Sequence, residues 1–406
     1  MSGRQTAAAS AAPGRIASID AFRGLTILVM IFVNSIPGVK EIPGWFKHMP
    51  ADADGMTFVD VVFPAFLFIV GMAIPFALGR RLDKGANPLA VLGHVGVRTL
   101  GLFTVGLFMV NMPADTKATG IDGNVWSLLA FTGLILAFNQ ARPAGPRGHV
   151  VNLVVRAAGF ALLAILAWVY RGRSGDEVRW MHTSWWGIVG LIGWAYLVSS
   201  VVYVAARRQM GALVGAMALL YAVFLADRAG LFTGAPMRGL LDFGAHIGSH
   251  AAITLAGVIV GQMLVDPAIA PTPWRRVRWV VVFGVLSFVA GVLLEPLHGI
   301  NKNQGTPAWA LYSVAWCCWT YAGLHVLMDI AGVTRWAAVV RPAGEHPLLA
   351  YLLSHMVYYG FCFWPSNPFW KHATTGYGAL AAYAALALAV TLASGWLGRR
   401  WLPLRL

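Results

Sequence analysis

The stretch Thr57-Phe-Val-Asp60-Val-Val-Phe-Pro64-Ala-Phe-Leu-Phe-Ile-Val-Gly71-Met-Ala-Ile-Pro75-Phe-Ala-Leu-Gly79-Arg80-Arg81 decides the fold. A helix rises about 1.5 Å per residue, so roughly 20 apolar residues cross a hydrocarbon core. This run is that long, carries a single carboxylate and ends on two arginines. Similar runs recur along the chain and predict twelve helices, near 16–37, 57–79, 89–111, 124–139, 151–170, 185–206, 211–229, 248–265, 277–294, 307–330, 346–364 and 378–397. Composition agrees: 58% of the 406 residues are hydrophobic and 11% charged, with a mean hydropathy of +0.67. Soluble domains carry about 25% charged residues.

The expected fold class is therefore all-α, a polytopic transmembrane helical bundle of about 10–12 spanning helices. Residues 1–15 read as a disordered cytoplasmic tail and 16–406 as one transmembrane domain. The 124–139 run is short, and Glu345-His346 stands at the mouth of 346–364. These two are the spans open to a tilted, re-entrant or partly buried arrangement.

With both termini cytoplasmic, about two thirds of the 30 Lys and Arg fall on the inner side, the bias of the positive-inside rule. Arg80, Arg81, Lys84, Arg275, Arg276 and Arg278 lead this set. The net charge of +14 is spread among short loops, which excludes a nucleic-acid-binding face; topology and anionic lipid headgroups account for it. Cys317, Cys318 and Cys362 have no metal or redox spacing. The first apolar run holds Asp20 and Arg23 and lacks a small-residue cleavage site, so it reads as an uncleaved first helix.

A few polar groups stand out against this background. Asp20 and Arg23 are three apart on one helical face; the plain reading is an ion pair at a helix end, and the sharper one is an anion-binding Arg23. Asn34 lies further along the same run. The loop that follows contains His48, and imidazole serves as a base or nucleophile near neutrality; a surface histidine beside interfacial Trp45 is the bland alternative. Asp60 sits one turn inside an apolar helix. Thr57 and the helix dipole explain it structurally, and orientation of a histidine explains it functionally.

Together, Asp20-Ala-Phe-Arg-Gly24, Asn34, His48, Thr57-Phe-Val-Asp60-Val-Val-Phe-Pro64 and Phe66-Leu-Phe-Ile-Val-Gly71 resemble the catalytic domain of heparan-α-glucosaminide N-acetyltransferases and their bacterial relatives. Gly299-Ile-Asn301-Lys302-Asn303-Gln304-Gly-Thr306-Pro307 resembles that family's outer-loop Asn-Lys-Asn motif, and Gly344-Glu-His-Pro-Leu-Leu-Ala-Tyr351 its late-helix entrance. There are departures. A tryptophan expected shortly after the histidine is absent, 49–54 is two residues longer with two added acids, and Asn124-Val-Trp-Ser-Leu-Leu-Ala-Phe131 replaces an Arg-rich block.

The resemblance implies a transmembrane acyltransferase. Acetyl-CoA enters from the cytoplasm, its phosphates meeting Arg23, Arg80, Arg81 and Lys84. His48 accepts the acetyl group or acts as base, with Asn34 holding the reacting group and Asp60 completing the catalytic set. Asn301, Lys302 and Asn303 then form the outer substrate-binding wall, and no metal takes part. His250, His346, Asp242, His246, Asp329 and His355 are lower-ranked candidates, because polar groups near helix ends usually serve structure. Expected partners are acetyl-CoA, an extracytoplasmic amino sugar or glycan, membrane lipids and, as an open option, a second copy forming a homodimer. The expected location is a bacterial inner membrane. A transporter or flippase of a glycan or lipid-linked substrate is the competing class; a structural subunit leaves Asn34, His48 and Asp60 unexplained.

Overall fold

The computed structural model describes residues 16–141, 148–363, 373–404 and 406. Twelve long helices follow one another in the expected order. They are α1 (Ala17–Ser35), α2 (Phe58–Asp83), α3 (Pro88–Val110), α4 (Gly123–Phe138), α5 (Gly148–Val169) and α6 (Gly187–Ala206). The second half contains α7 (Met210–Arg228), α8 (Phe243–Val265), α9 (Pro273–His298), α10 (Pro307–His325), α11 (Pro347–Cys362) and α12 (Gly376–Arg400). The predicted tail 1–15 lies outside the described residues.

Among the described residues, nine of these helices are long and apolar enough to cross a membrane, so the chain is a polytopic helical membrane protein. Of the about 10–12 spans expected, the two runs marked as open to another arrangement, 124–139 and 346–364, are α4 and α11. Helices α4 and α11 have 16 residues each. The reason is different for α10, which is long enough at 19 residues but carries tryptophans, tyrosines, cysteines and serine, most of which pack inside the bundle. Among the described residues, one connection departs from purely helical structure: β1 (Gly172–Ser174) pairs antiparallel with β2 (Glu177–Arg179).

Local chemistry sets the helix starts. Asn87 accepts the Leu89 amide at 2.8 Å ahead of Pro88, and Asp122 accepts the Asn124 and Val125 amides at 2.9 and 3.1 Å. Asp242 accepts the Ala245 amide at 2.9 Å, which starts α8 five residues before the apolar run itself. That first turn, Phe243–Ser249, is π-helical, a geometry often found at functional sites.

Helix α8 is the centre of the bundle: every residue from His250 to Leu264 is buried. Helix α2 lies directly on it. A methyl group added at Gly71 would stand 1.8 Å from the Thr254 carbonyl oxygen, and one added at Gly257 would stand 2.0 Å from that of Phe68. Gly261 meets the Met72 carbonyl in the same way, at 2.5 Å. Small residues let two backbones touch, the usual route to close helix packing where lipid supplies no hydrophobic drive. The buried side chains around this contact form one connected cluster reaching from Ile19 to Leu404.

This contact predicts the response to substitution. Gly71→Ala and Gly257→Ala should each force the helices apart and cost about 1–3 kcal/mol or more, seen as a lower unfolding temperature of the purified protein. Gly93→Ala, at an exposed helical glycine with open space around it, should leave that temperature unchanged or raise it slightly.

Candidate functional site

Two loops meet over the start of α2. Asp54 Oδ1 accepts the Ile300 amide at 2.7 Å, the Gly55 amide donates to the Ile300 carbonyl at 2.8 Å, and Asn301 Nδ2 donates to the carbonyls of Ala51 and Ala53 at 2.7 and 3.3 Å. Asp54 ties the two loops together. The seam brings Lys302 to His48 across 254 residues of sequence: Lys302 Nζ lies 2.9 Å from His48 Nδ1.

Asp60 completes the cluster. Its Oδ1 is 2.7 Å from His48 Nδ1 and 3.5 Å from Lys302 Nζ. Its Oδ2 accepts the amides of Met49 and Thr57 at 3.2 and 3.0 Å, and its backbone carbonyl accepts Trp309 Nε1–H at 3.2 Å. The carboxylate is 2% exposed against 41% for the histidine, so the acid is a fixed, buried support and the imidazole faces outward. Thr57 and Asp60 also form a capping box at the helix start. The same residues thus begin the helix and hold the histidine.

The contacts around Nδ1 constrain its proton. Asp60 only accepts in its ionised form and Lys302 only donates, so Nδ1 cannot satisfy both at once. If Nδ1–H donates to Asp60, Lys302 turns to the carboxylate and Nε2 is left as a free lone pair. If Lys302 donates to Nδ1, the ring proton moves to Nε2. Burial pushes the Lys302 ammonium below its ordinary range, an effect opposed by Asp60.

His48 opens into a cavity of about 530 Å³ also lined by Asn34, Lys302, Asn303, Trp185, Arg238, His246 and His250. A smaller space of about 130 Å³ shares Met30, Phe66 and Ile188 with it. That space in turn shares Phe66, Val70, Arg98, Tyr196 and Leu348 with a third cavity, of about 400 Å³, at the other end of α2. The three form a row along the bundle, with His48 at one end and Arg23 and Arg98 at the other.

The expected site residues divide on this geometry. Asn34, His48, Lys302 and Asn303 line one cavity, and Asp60 lies behind His48. Asn301 does not face it: the side chain is consumed by the loop seam, with Oδ1 accepting the Gln304 amide at 2.9 Å. Arg23 lines the far cavity, where Nη1 donates to the Gly344 carbonyl at 3.2 Å and stands 3.5 Å from Asp20. Arg80, Arg81 and Lys84 line none of the three cavities. A further cation, Arg98 from α3, does line the far cavity, with its guanidinium 4.9 Å from the Tyr196 ring centre. An arginine ten residues into an apolar helix is the signal that could have singled it out. No group suited to holding a metal occurs among the described residues.

Neighbours within one motif should behave differently. Asn301→Ala removes the hydrogen bonds from a buried side chain to the Ala51 and Ala53 carbonyls and from the Gln304 amide and should cost about 1–3 kcal/mol, lowering the unfolding temperature by several degrees. Asn303→Ala, on the exposed cavity wall, should stay within about 0.5 kcal/mol of the parent.

Comparison with known proteins agrees with this architecture. A family profile described as a domain of unknown function (DUF5009) matches residues 15–234, a little over half of the chain. Heparan-alpha-glucosaminide N-acetyltransferase from Homo sapiens is 37% identical over 102 residues, which is 25% of this chain and 15% of that protein. The Mus musculus protein of the same name is 36% identical over 97 residues, 24% of this chain and 14% of its own. The matched stretch is thus a small part of these relatives. The chain belongs to the DUF5009 family, and within it carries a segment similar to the heparan-alpha-glucosaminide N-acetyltransferases.

Proposed function

We propose that this protein is a membrane-embedded acyltransferase that moves an acetyl group from acetyl-CoA, bound at the Arg23 end of the cavity row, to an amino sugar or glycan hydroxyl at the His48 end. The observation that carries this reading is the row itself, with a buried carboxylate–imidazole–ammonium cluster at one end and intramembrane arginines at the other. Similarity to N-acetyltransferases supports the reaction class. The inward bias of Lys and Arg supports a cytoplasmic Arg23 end and an extracytoplasmic His48 end, in a bacterial inner membrane.

The residues divide the work. Arg98 and Arg23 hold the phosphates of the donor, for which a guanidinium's fixed donors are well suited. The thioester arm follows the apolar middle of the row to His48. With Nδ1–H held by Asp60, Nε2 has two routes. As base, it takes the proton from the acceptor amine while that nitrogen bonds to the carbonyl carbon and the carbon–sulfur bond breaks. As nucleophile, it bonds to that carbon first, releasing CoA thiolate, and the amine then displaces the imidazole and loses its proton. Asn34 donates to the developing oxyanion in either route. Lys302 stays on Asp60 throughout, because His48 Nδ1 keeps its proton whether the imidazole is neutral or charged and the ammonium can only donate.

Reconstituted protein given labelled acetyl-CoA and glucosamine should release CoA and form the N-acetyl product. His48→Ala should lower this rate by about 10²–10⁴-fold, the usual range for a general base, and Asn34→Ala by about 10²-fold or more, as for other oxyanion donors. Turnover of His48→Ala equal to the parent would sink the assignment. Arg98→Gln should raise the KM for acetyl-CoA about tenfold or more with little change in the acceptor KM, since charge-assisted hydrogen bonds contribute about 1.5–3 kcal/mol. A transporter would leave acetyl-CoA intact in all of these assays.

A further inference from the structure

The His48 cavity has a second polar wall that the chemistry above does not use. It is formed by the π-helical first turn of α8 and the residues just before it. His246 and His250 lie four apart, with their rings stacked and 6.1 Å between centres, and both line the cavity. Both are buried, at 9% and 4% exposure.

His246 Nδ1 accepts the Asp242 amide at 3.3 Å. In the neutral ring this leaves Nε2 as the protonated nitrogen, a free donor. His250 is clamped by the rings of Phe63 and Trp309, with centres 5.2 and 5.9 Å away, and its buried Nδ1 has no hydrogen-bond partner among the described residues. An imidazole fixed by three rings in a cavity wall, with a nitrogen unpaired, lacks a partner that the protein itself does not supply.

The charges around this wall identify the class of partner. Asp60 is paired with Lys302, Arg238 with Asp227, and Arg228 lies 3.7 Å from Asp242. What remains for a ligand is a neutral hydrogen-bonding set and the exposed ring of Trp185, an apolar face beside polar groups. That combination suits a polyhydroxylated ring with an uncharged amine better than a phosphate or carboxylate, which needs an unpaired cation.

We propose that His246 and His250 are the acceptor-binding wall of the cavity, hydrogen-bonding the ring hydroxyls of a sugar and so positioning its amine or hydroxyl for His48. This rests on the acyl-transfer reading of the cavity. The test is binding of glucosamine to the full-length protein in detergent at pH 8.5, read by calorimetry and repeated with acetyl-CoA. His246→Phe and His250→Phe should each weaken glucosamine at least tenfold, leave acetyl-CoA binding within twofold and raise the acceptor KM. His250→Gln, which keeps a hydrogen-bonding group, should recover part of the loss, and that recovery separates recognition from a packing defect. No binding of glucosamine to the parent, equal binding by all variants, or equal weakening of sugar and acetyl-CoA each overturns the wall. Glucosamine binding with the expected losses, but without acetyl transfer by the parent, overturns the acyl-transfer reading and leaves the wall standing.

Discussion

The backbone contact between α2 and α8 is the constraint on which the rest of the molecule depends. Gly71, Gly257 and Gly261 let the two helices touch without side chains between them, and van der Waals packing of this kind replaces the hydrophobic drive that helices lack in lipid. The contact has a positional consequence. Helix α2 carries Asp60 at one end, and its Phe66 borders all three cavities of the row; α8 carries His246 and His250. Fixing their separation fixes the width of the cavity between the carboxylate support and the histidine wall.

The polar cluster then answers a problem created by that packing. A carboxylate one turn inside an apolar helix is costly unless its lone pairs are filled. Asp60 receives two amides from one side and a histidine and an ammonium from the other. These partners come from two loops far apart in sequence, so the loops cannot leave without exposing the acid to an unpaired state. The requirement to satisfy Asp60 holds His48 and Lys302 where the cavity opens.

Much of this was legible before any coordinates. Length and apolar periodicity marked all twelve helices, because a spanning helix must satisfy its backbone internally and therefore writes its length into the chain. Asp60, His48 and Lys302 were visible as charges or motifs, and the structure brings them together. A motif names Asn301, Lys302 and Asn303 but not which way each turns; the carbonyls of Ala51 and Ala53 claim the Asn301 side chain. Arg80, Arg81 and Lys84 were favoured because charge counts report which loops are basic, whereas a cavity is lined by whatever the helix face presents. Arg98 does so from within an apolar helix. His246 and His250 gained weight from the cavity they line and from the unpaired Nδ1 of His250, which depend on tertiary packing that a 3.6-residue period does not reveal.

A cavity row along a bundle raises a difficulty for any membrane protein, since a continuous water file would leak protons. The middle space, of about 130 Å³, is the smallest of the three; Met30, Phe66, Val70, Leu102, Ile188 and Ile192 wall much of it, with Arg98 and Tyr196 on the side it shares with the Arg23 cavity. Apolar walls at a constriction exclude water, as hydrophobic gates do in channels. For an acyltransferase the same constriction has a second effect. A thioester drawn through it reaches His48 stripped of water, where hydrogen bonds from fixed donors act more strongly than in solvent and hydrolysis of the acyl group is suppressed. A transporter needs this middle to open for its cargo, whereas transfer of an acetyl group requires only that a slender chain fit. A middle space this small therefore suits the proposed chemistry passed along the row better than passage of a whole sugar.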